Sequence, residues 1–293
     1  MDDSVFRSHS SPQPGEPGWP KASDGAMAAF PSVHTDLEAA LLCIDAFYAM
    51  MFRDWPGAVT RSAGDCTLSY SGDGHLTGAN HVWPHTPDAL TPAVLAEAAR
   101  FFAAFRAAWS VICTDAFMPA AVDFLRQKRY TLRWQSPLMA LDRPPRRLPV
   151  HSNGRAIRAA TPDHLRDMGL IMSEAFATSD AVNRRITRPE HLAGSDVIHY
   201  ILYAGEEPAS CATVTICGEM ASIWNVGTRY SFRRQRCAAT IMHTILDDLA
   251  ARGVTTSILL ASSSGQPLYE RLGYRQIGTT MYMAPPVTLL APA

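Results

Sequence analysis

Three apolar runs, Val197–Ala204, Ala209–Ile216 and Ala221–Val226, follow one another, turned by Gly205-Glu206-Glu207-Pro208 and by Cys217-Gly218-Glu219. Runs of this length read as strands, and such short turns join antiparallel neighbours, so the segment predicts a meander. Ala238–Ala251 then places Ile241, Met242, Ile245, Leu246 and Leu249 on one helical face, with Gly253 as a left-handed stop. Upstream, Arg155–Ala159 reads as a strand and Pro162–Phe176 as a helix with Leu165, Met168, Met172 and Phe176 inward. Downstream come strand Thr255–Ala261, a short helix Gln266–Leu272 and strand Arg275–Met283. The order β-α-β-β-β-α-β-α-β predicts a mixed α/β domain around a central sheet.

The first half is patterned more weakly. Residues 1–34 are rich in Ser, Pro, Gly and Asp and read as a disordered leader. Thr35 and Glu38 form a capping-box pattern, after which Leu37, Leu41, Ile44, Tyr48 and Met51 recur at helical spacing. Short β-like runs follow near Ala58–Arg61 and Cys66–Tyr70. Thr91-Pro92 opens a second helix with Leu95, Ala98, Phe102 and Phe105 as its stripe. An apolar run Trp109–Cys113, a short helix Pro119–Gln127 and a strand-like Tyr130–Ala140 complete this half. The stiff, polar stretch from Arg143 to Pro149 reads as a linker.

The expected division is a leader 1–34, an α/β domain 35–142, a linker 143–149, a second α/β domain 150–284 and a tail 285–293. Both halves end as long helix, strand, short helix, strand, and Phe124–Tyr130 sits like Leu268–Tyr274, 144 residues on. Internal duplication and a chance likeness of two α/β domains both remain open.

A hydrophobic fraction of 47% with 18% charged residues excludes a largely disordered chain. The net charge of −1 gives no global pull towards nucleic acid or an acidic membrane surface. Six scattered cysteines without a Cys-x-x-Cys pair read as reduced thiols, and no apolar stretch approaches a bilayer span. A cytoplasmic protein is expected. His81 and His85 have ligand-like spacing, but Pro84 interrupts them and no third ligand is near, so no metal is expected.

The segment richest in chemistry lies between the third meander strand and the helix after it. It carries Arg229, Arg233, Arg234 and Arg236 in eight residues. Free N–H groups at a helix start, with the helix dipole behind them and guanidinium groups beside them, suit a diphosphate. A solvated basic loop is the plainer alternative. Cys237, at the helix start, has the position of a thiol with a lowered pKa or of a filler in the loop.

This stretch, from Trp224 to Met283, resembles the cofactor-binding half of the GNAT superfamily of acyltransferases. Arg233-Arg234-Gln235-Arg236-Cys237-Ala238 stands where that family carries Arg/Gln-x-x-Gly-x-Gly/Ala, and Leu268-Tyr269-Glu270-Arg271-Leu272-Gly273-Tyr274 resembles its Leu-Tyr-x-x-Leu-Gly-Phe/Tyr helix. Arg236 departs from the pattern at the first glycine. The resemblance implies a GNAT-like acyl-CoA N-acyltransferase fold, in a tandem arrangement with a degenerate first copy. It implies acetyl-CoA as cosubstrate, held by Asn225, Val226, Gly227 and Thr228 at the strand end, by Arg233, Arg234, Gln235, Arg236, Cys237 and Ala238 in the loop, and by Ser262.

It further implies an N-acetyltransferase that passes the acetyl group directly to an amine of a small molecule or peptide. Tyr269 is then the group that returns a proton to the departing thiolate. Glu219 is the candidate base, His199 and a water chain being the other readings. A non-catalytic module that senses acyl-CoA or serves interaction is the rival from another class. No nucleic acid or membrane partner is expected, and the sequence leaves the oligomeric state open.

Overall fold

The protein is described by a computed structural model over residues 33–52, 55–194 and 196–286. The expected leader up to residue 32, and the end of the expected tail from residue 287, lie outside the described residues. The first half comprises α1 (Val33–Phe52), β1 (Val59–Ala63), β2 (Cys66–Tyr70), β3 (His81–Pro84), α2 (Pro92–Ala104), β4 (Ser110–Thr114), α3 (Pro119–Gln127) and β5 (Thr131–Leu141). The second comprises β6 (Gly154–Arg158), α4 (Pro162–Phe176), α5 (Asp180–Ile186), β7 (Val197–Ala204), β8 (Glu207–Cys217), β9 (Met220–Thr228), α6 (Cys237–Ala251), β10 (Thr256–Leu260), α7 (Gln266–Leu272) and β11 (Arg275–Ala284). Thr35 therefore lies inside the first turn of α1 rather than ahead of it, and its side chain is outside the described residues.

All eleven strands form one mixed sheet in the order β1-β2-β3-β4-β11-β5-β10-β9-β8-β7-β6. The architecture is mixed α/β around this central sheet. The pairs β3/β4 and β9/β10 are parallel and the remaining neighbours antiparallel. The centre is an exchange. β11 of the second half lies between β4 and β5 of the first, while β5 lies between β11 and β10.

Alternation along the exchanged strands explains why they stay there, since residues two apart share a face. Met281 and Met283 of β11 enter the first-half core with Trp109, Phe102 and Leu125, while Tyr282 points to the other face. Met139 and Leu141 of β5 enter the second-half core with Ile241, Ile245 and Tyr274, while Leu138 and Ala140 point to the other face. One face is thus covered by α2, α3, α6 and α7, and the opposite face by α1, α4 and α5.

The segment between β5 and β6 is strapped along α6. Arg147 forms a two-pronged pair with Asp247, the Leu148 N–H donates to His243 Nε2 at 3.0 Å, and the His151 N–H donates to Thr240 Oγ1 at 2.8 Å. The stretch after α4 that shows no pattern in sequence folds as α5. It is short, and its inward residues include polar Asn183 and Arg185. Asn183 donates to the Gly169 carbonyl at 3.0 Å and to Ser173 Oγ at 2.6 Å, while Arg185 donates to the Ser71 carbonyl at 2.7 Å. Hydrogen bonds hold this helix, so hydrophobic spacing does not mark it.

Candidate active site

A notch opens between β9 and β10. The two strands pair only where Thr256–Ile258 meet Met220–Ser222, although β9 runs on to Thr228. Beyond its end β10 leans away, the Ala261 N–H donating to the Pro137 carbonyl of β5 at 2.9 Å. The other edge of β9 helps to open the gap. Its register with β8 shifts between Cys211 and Thr213, which face Gly227 and Trp224, and Asn225 in the extra length has φ of +53°. A bulge of this kind bends a strand and interrupts its ladder. Gly227 is required by α4, because a Cβ there would lie 2.9 Å from the Phe176 ring.

The chain leaves β9 through the arginine loop, whose four guanidinium groups differ in their freedom. Arg229 donates Nε to Glu174 of α4 at 2.8 Å and Nη1 to the Pro208 carbonyl at 3.1 Å. Arg233 donates to the Thr228 carbonyl at 3.2 Å and lies 3.9 Å above the Tyr230 ring. Gln235 donates to the Ser231 carbonyl, which closes the loop on itself. Arg234 and Arg236 are exposed, and both hold positive φ, +64° and +68°.

Helix α6 then starts at Cys237. Its first intrahelical bond runs from the Thr240 N–H to the Arg236 carbonyl, so the N–H groups of Cys237, Ala238 and Ala239 precede the ladder. Among the described residues no side-chain hydrogen bond caps them. The Cys237 thiol is buried and its pKa is raised by desolvation, which removes it as a reactive thiolate.

Tyr269 lies in the first turn of α7, against Gly265, and is buried in the core shared with α6. Among the described residues its hydroxyl makes no hydrogen bond, and burial pushes its pKa up. Ser262 Oγ accepts the Gly265 N–H at 3.1 Å and shapes the entry to α7. Glu219 is not brought to this group. It is exposed in the β8–β9 turn, at the opposite end of β9 from the loop, roughly 30 Å of extended strand away. Its carbonyl accepts the Thr255 and Thr256 N–H groups, a strand-ordering role.

The corresponding place in the first half is built otherwise. The loop from β3 to α2 ends on Thr91, whose Oγ1 accepts the Val94 N–H at 3.2 Å, and Pro92 contributes no N–H at all. That helix start is closed by its own side chain. His85 bonds Thr67 Oγ1 at 2.7 Å and His81 the Ala79 carbonyl at 3.1 Å, so the two share no ligand-like position.

Residues 172–265 match the sequence model of the acetyltransferase (GNAT) domain. They span β7 to β10, the arginine loop and α6, and so take in the notch and the helix start at its mouth. The chain carries a GNAT domain. Solved structures agree on the fold. A GCN5-related N-acetyltransferase from Kribbella flavida superposes with a TM-score of 0.69 at 17% identity, over 85% of this chain and 95% of its own. One from Sphaerobacter thermophilus gives 0.57 at 15%, over 87% and 93%. A tandem GNAT protein from the clavulanic acid biosynthesis pathway gives 0.60 at 12%, over 85% and 88%. No curated protein matches the sequence.

Around the notch lie groups that the sequence motifs do not mark. Phe47 of α1, from the first half, stacks on Trp224 of β9 with centroids 3.8 Å apart. Beside them runs a polar row: Asn225 Nδ2 lies 3.5 Å from Thr213 Oγ1, which lies 3.0 Å from His199 Nδ1, whose Nε2 lies 3.1 Å from His191 Nδ1. Pairing puts His199 opposite Thr213, and Thr213 opposite Trp224 beside the bulge. Burial lowers the His199 pKa to about 3, so the ring is neutral and a weak proton acceptor. Spacing reveals none of this, because the row crosses three strands and a loop.

Proposed function

We propose that the GNAT domain binds acetyl-CoA in the notch between β9 and β10 and transfers the acetyl group to an amine. The observation that carries this reading is the divergence of the two strands after Ser222 and Ile258, with the uncapped start of α6 at its mouth. The free edge of β9 at Asn225–Thr228 offers backbone groups to the pantetheine arm. The N–H groups of Cys237 and Ala238, with Gln235 and Arg234 around them, suit the diphosphate.

An amine that attacks the thioester carbonyl forms the new C–N bond as the C–S bond breaks. One proton leaves the nitrogen and one is needed by the thiolate. Tyr269, kept protonated by its burial, serves the second need; water serves the first, because Glu219 is remote and burial leaves His199 too weak a base.

Acetyl-CoA is expected to raise the melting temperature of the full chain, since a ligand that binds only the folded state stabilises it. No shift at millimolar acetyl-CoA would overturn the reading. One observation favours a domain that senses acyl-CoA without turning it over: Arg236 occupies the left-handed position where the family has glycine. Binding with no acetylation of any amine in a broad panel would select that version.

A further inference from the structure

Asn225 has a left-handed backbone in the β9 bulge, and its side chain is fixed from one side only. The side-chain amide N–H donates to Thr213 Oγ1, and the Cys211 thiol donates to the Asn225 carbonyl at 3.5 Å. Among the described residues the amide oxygen Oδ1 has no hydrogen-bond partner. Thr213 is fully buried and His199 nearly so.

With Asn225 as the first donor, the row takes a single polarity. Thr213 Oγ1 accepts from Asn225, so its own proton goes to His199 Nδ1. A neutral His199 then carries its proton on Nε2 and donates it to His191 Nδ1. Reversing the Asn225 amide would set its oxygen against Thr213, which would have to donate there. His199 Nδ1 would then be the donor to Thr213, and its Nε2 would accept from His191 Nδ1–H, so every bond of the row would reverse together. The row therefore ties the amide orientation to the His199 tautomer: with Nδ2 on Thr213, nitrogen is turned into the sheet face and oxygen is left for a ligand.

We propose that the His191–His199–Thr213 row positions Asn225 so that its Oδ1 accepts an N–H from the acceptor amine beside the notch. Asn225 is the group that touches substrate; Thr213 and His199 are positioning residues. The inference rests on the acetyl-transfer reading for the identity of the ligand, but the polarity of the row stands independently of it. It assigns the acceptor a chemistry: a group that arrives as a hydrogen-bond donor, next to the aromatic wall of Phe47 and Trp224.

The test uses the full chain, labelled with nitrogen-15, with glycinamide as the amine probe and CoA in the notch to prevent turnover. Long-range nitrogen–proton correlation is expected to show His199 as the Nε2–H tautomer. Glycinamide is expected to move the Asn225 side-chain amide signals in the wild type, not in Thr213→Val, and again in Thr213→Ser. A His199 Nδ1–H tautomer, or Asn225 signals that ignore glycinamide in the wild type, would overturn the proposal. So would an equal response in Thr213→Val. If CoA itself fails to bind, the acetyl-transfer reading falls, and the tautomer still decides whether the row has this polarity.

Discussion

Arg229 Nε sits 2.8 Å from the Glu174 carboxylate, so the first arginine of the loop is bound to α4 before any ligand arrives. Glu174 also accepts the Tyr230 N–H, and this pairing with Arg229 holds its carboxyl below the usual range. The four arginines therefore divide by task. Arg229→Ala is expected to lower stability by about 1 kcal/mol, the scale of a charged hydrogen bond near the surface. Arg234→Ala is expected to leave stability unchanged and to weaken acetyl-CoA binding, with a flatter dependence on salt. Urea denaturation and calorimetry on both variants separate the two effects. The reverse pattern would show that Arg229 faces the ligand.

Arg236 at φ +68° holds a conformation that costs an ordinary residue about 1 kcal/mol or more. Arg236→Gly removes that strain but frees the unfolded chain, so stability should stay level or rise by up to about 1 kcal/mol. Acetyl-CoA should bind more tightly to this variant, because backbone N–H groups can then approach the diphosphate without a side chain between. Calorimetry reads the change in Kd, and weaker binding would show that the Arg236 guanidinium is itself the ligand contact.

These cases show what the sequence could and could not disclose. The meander was legible as apolar runs joined by short turns, and α6 because its core follows a period of 3.6, as with Ile241, Ile245 and Leu249. The loop was legible as chemistry because four arginines precede an amphipathic helix. The exchange of β5 and β11 was not, since alternation on Met139 and Met281 says which face is buried but not which strand lies alongside. The linker residue Arg147 and His151 just beyond the linker look free in sequence and are strapped to α6 by partners about 90 to 100 residues away. The row from His191 to Asn225 escapes for the same reason: its spacing exists only across paired strands.

Acid should act through the buried histidines. Desolvation lowers His81 to about 4 and His199 to about 3, both below the unfolded value near 6.5. Below that value the unfolded chain binds more protons than the native one, so the stability these residues contribute is complete above about pH 6.5. It is lost as pH falls towards 4. Each histidine adds a slope of at most about 1.4 kcal/mol per pH unit in that window. Asp45, pushed up to about 7 by desolvation, works in the opposite sense and offsets part of the loss. Denaturant melts from pH 7.5 to 4.5 on the wild type and His81→Phe check this. The variant should show the shallower fall, and parallel curves would remove His81 from the account.

The exchange makes a last prediction about cooperativity and site number together. β11 supplies Met281 and Met283 to the first-half core and β5 supplies Met139 and Leu141 to the second, so neither half keeps its core if the other opens. The two halves should melt in one transition, with calorimetric and van't Hoff enthalpies equal, despite a length at which separate domains are common. Acetyl-CoA should raise that single transition while binding at one site per chain. The start of α2 is closed by Thr91 and Pro92, whereas the start of α6 is open. Two transitions, only one of them shifted by acetyl-CoA, would mean that the halves are coupled by contact alone. A stoichiometry of two would mean that the first half holds a site its capped helix does not suggest.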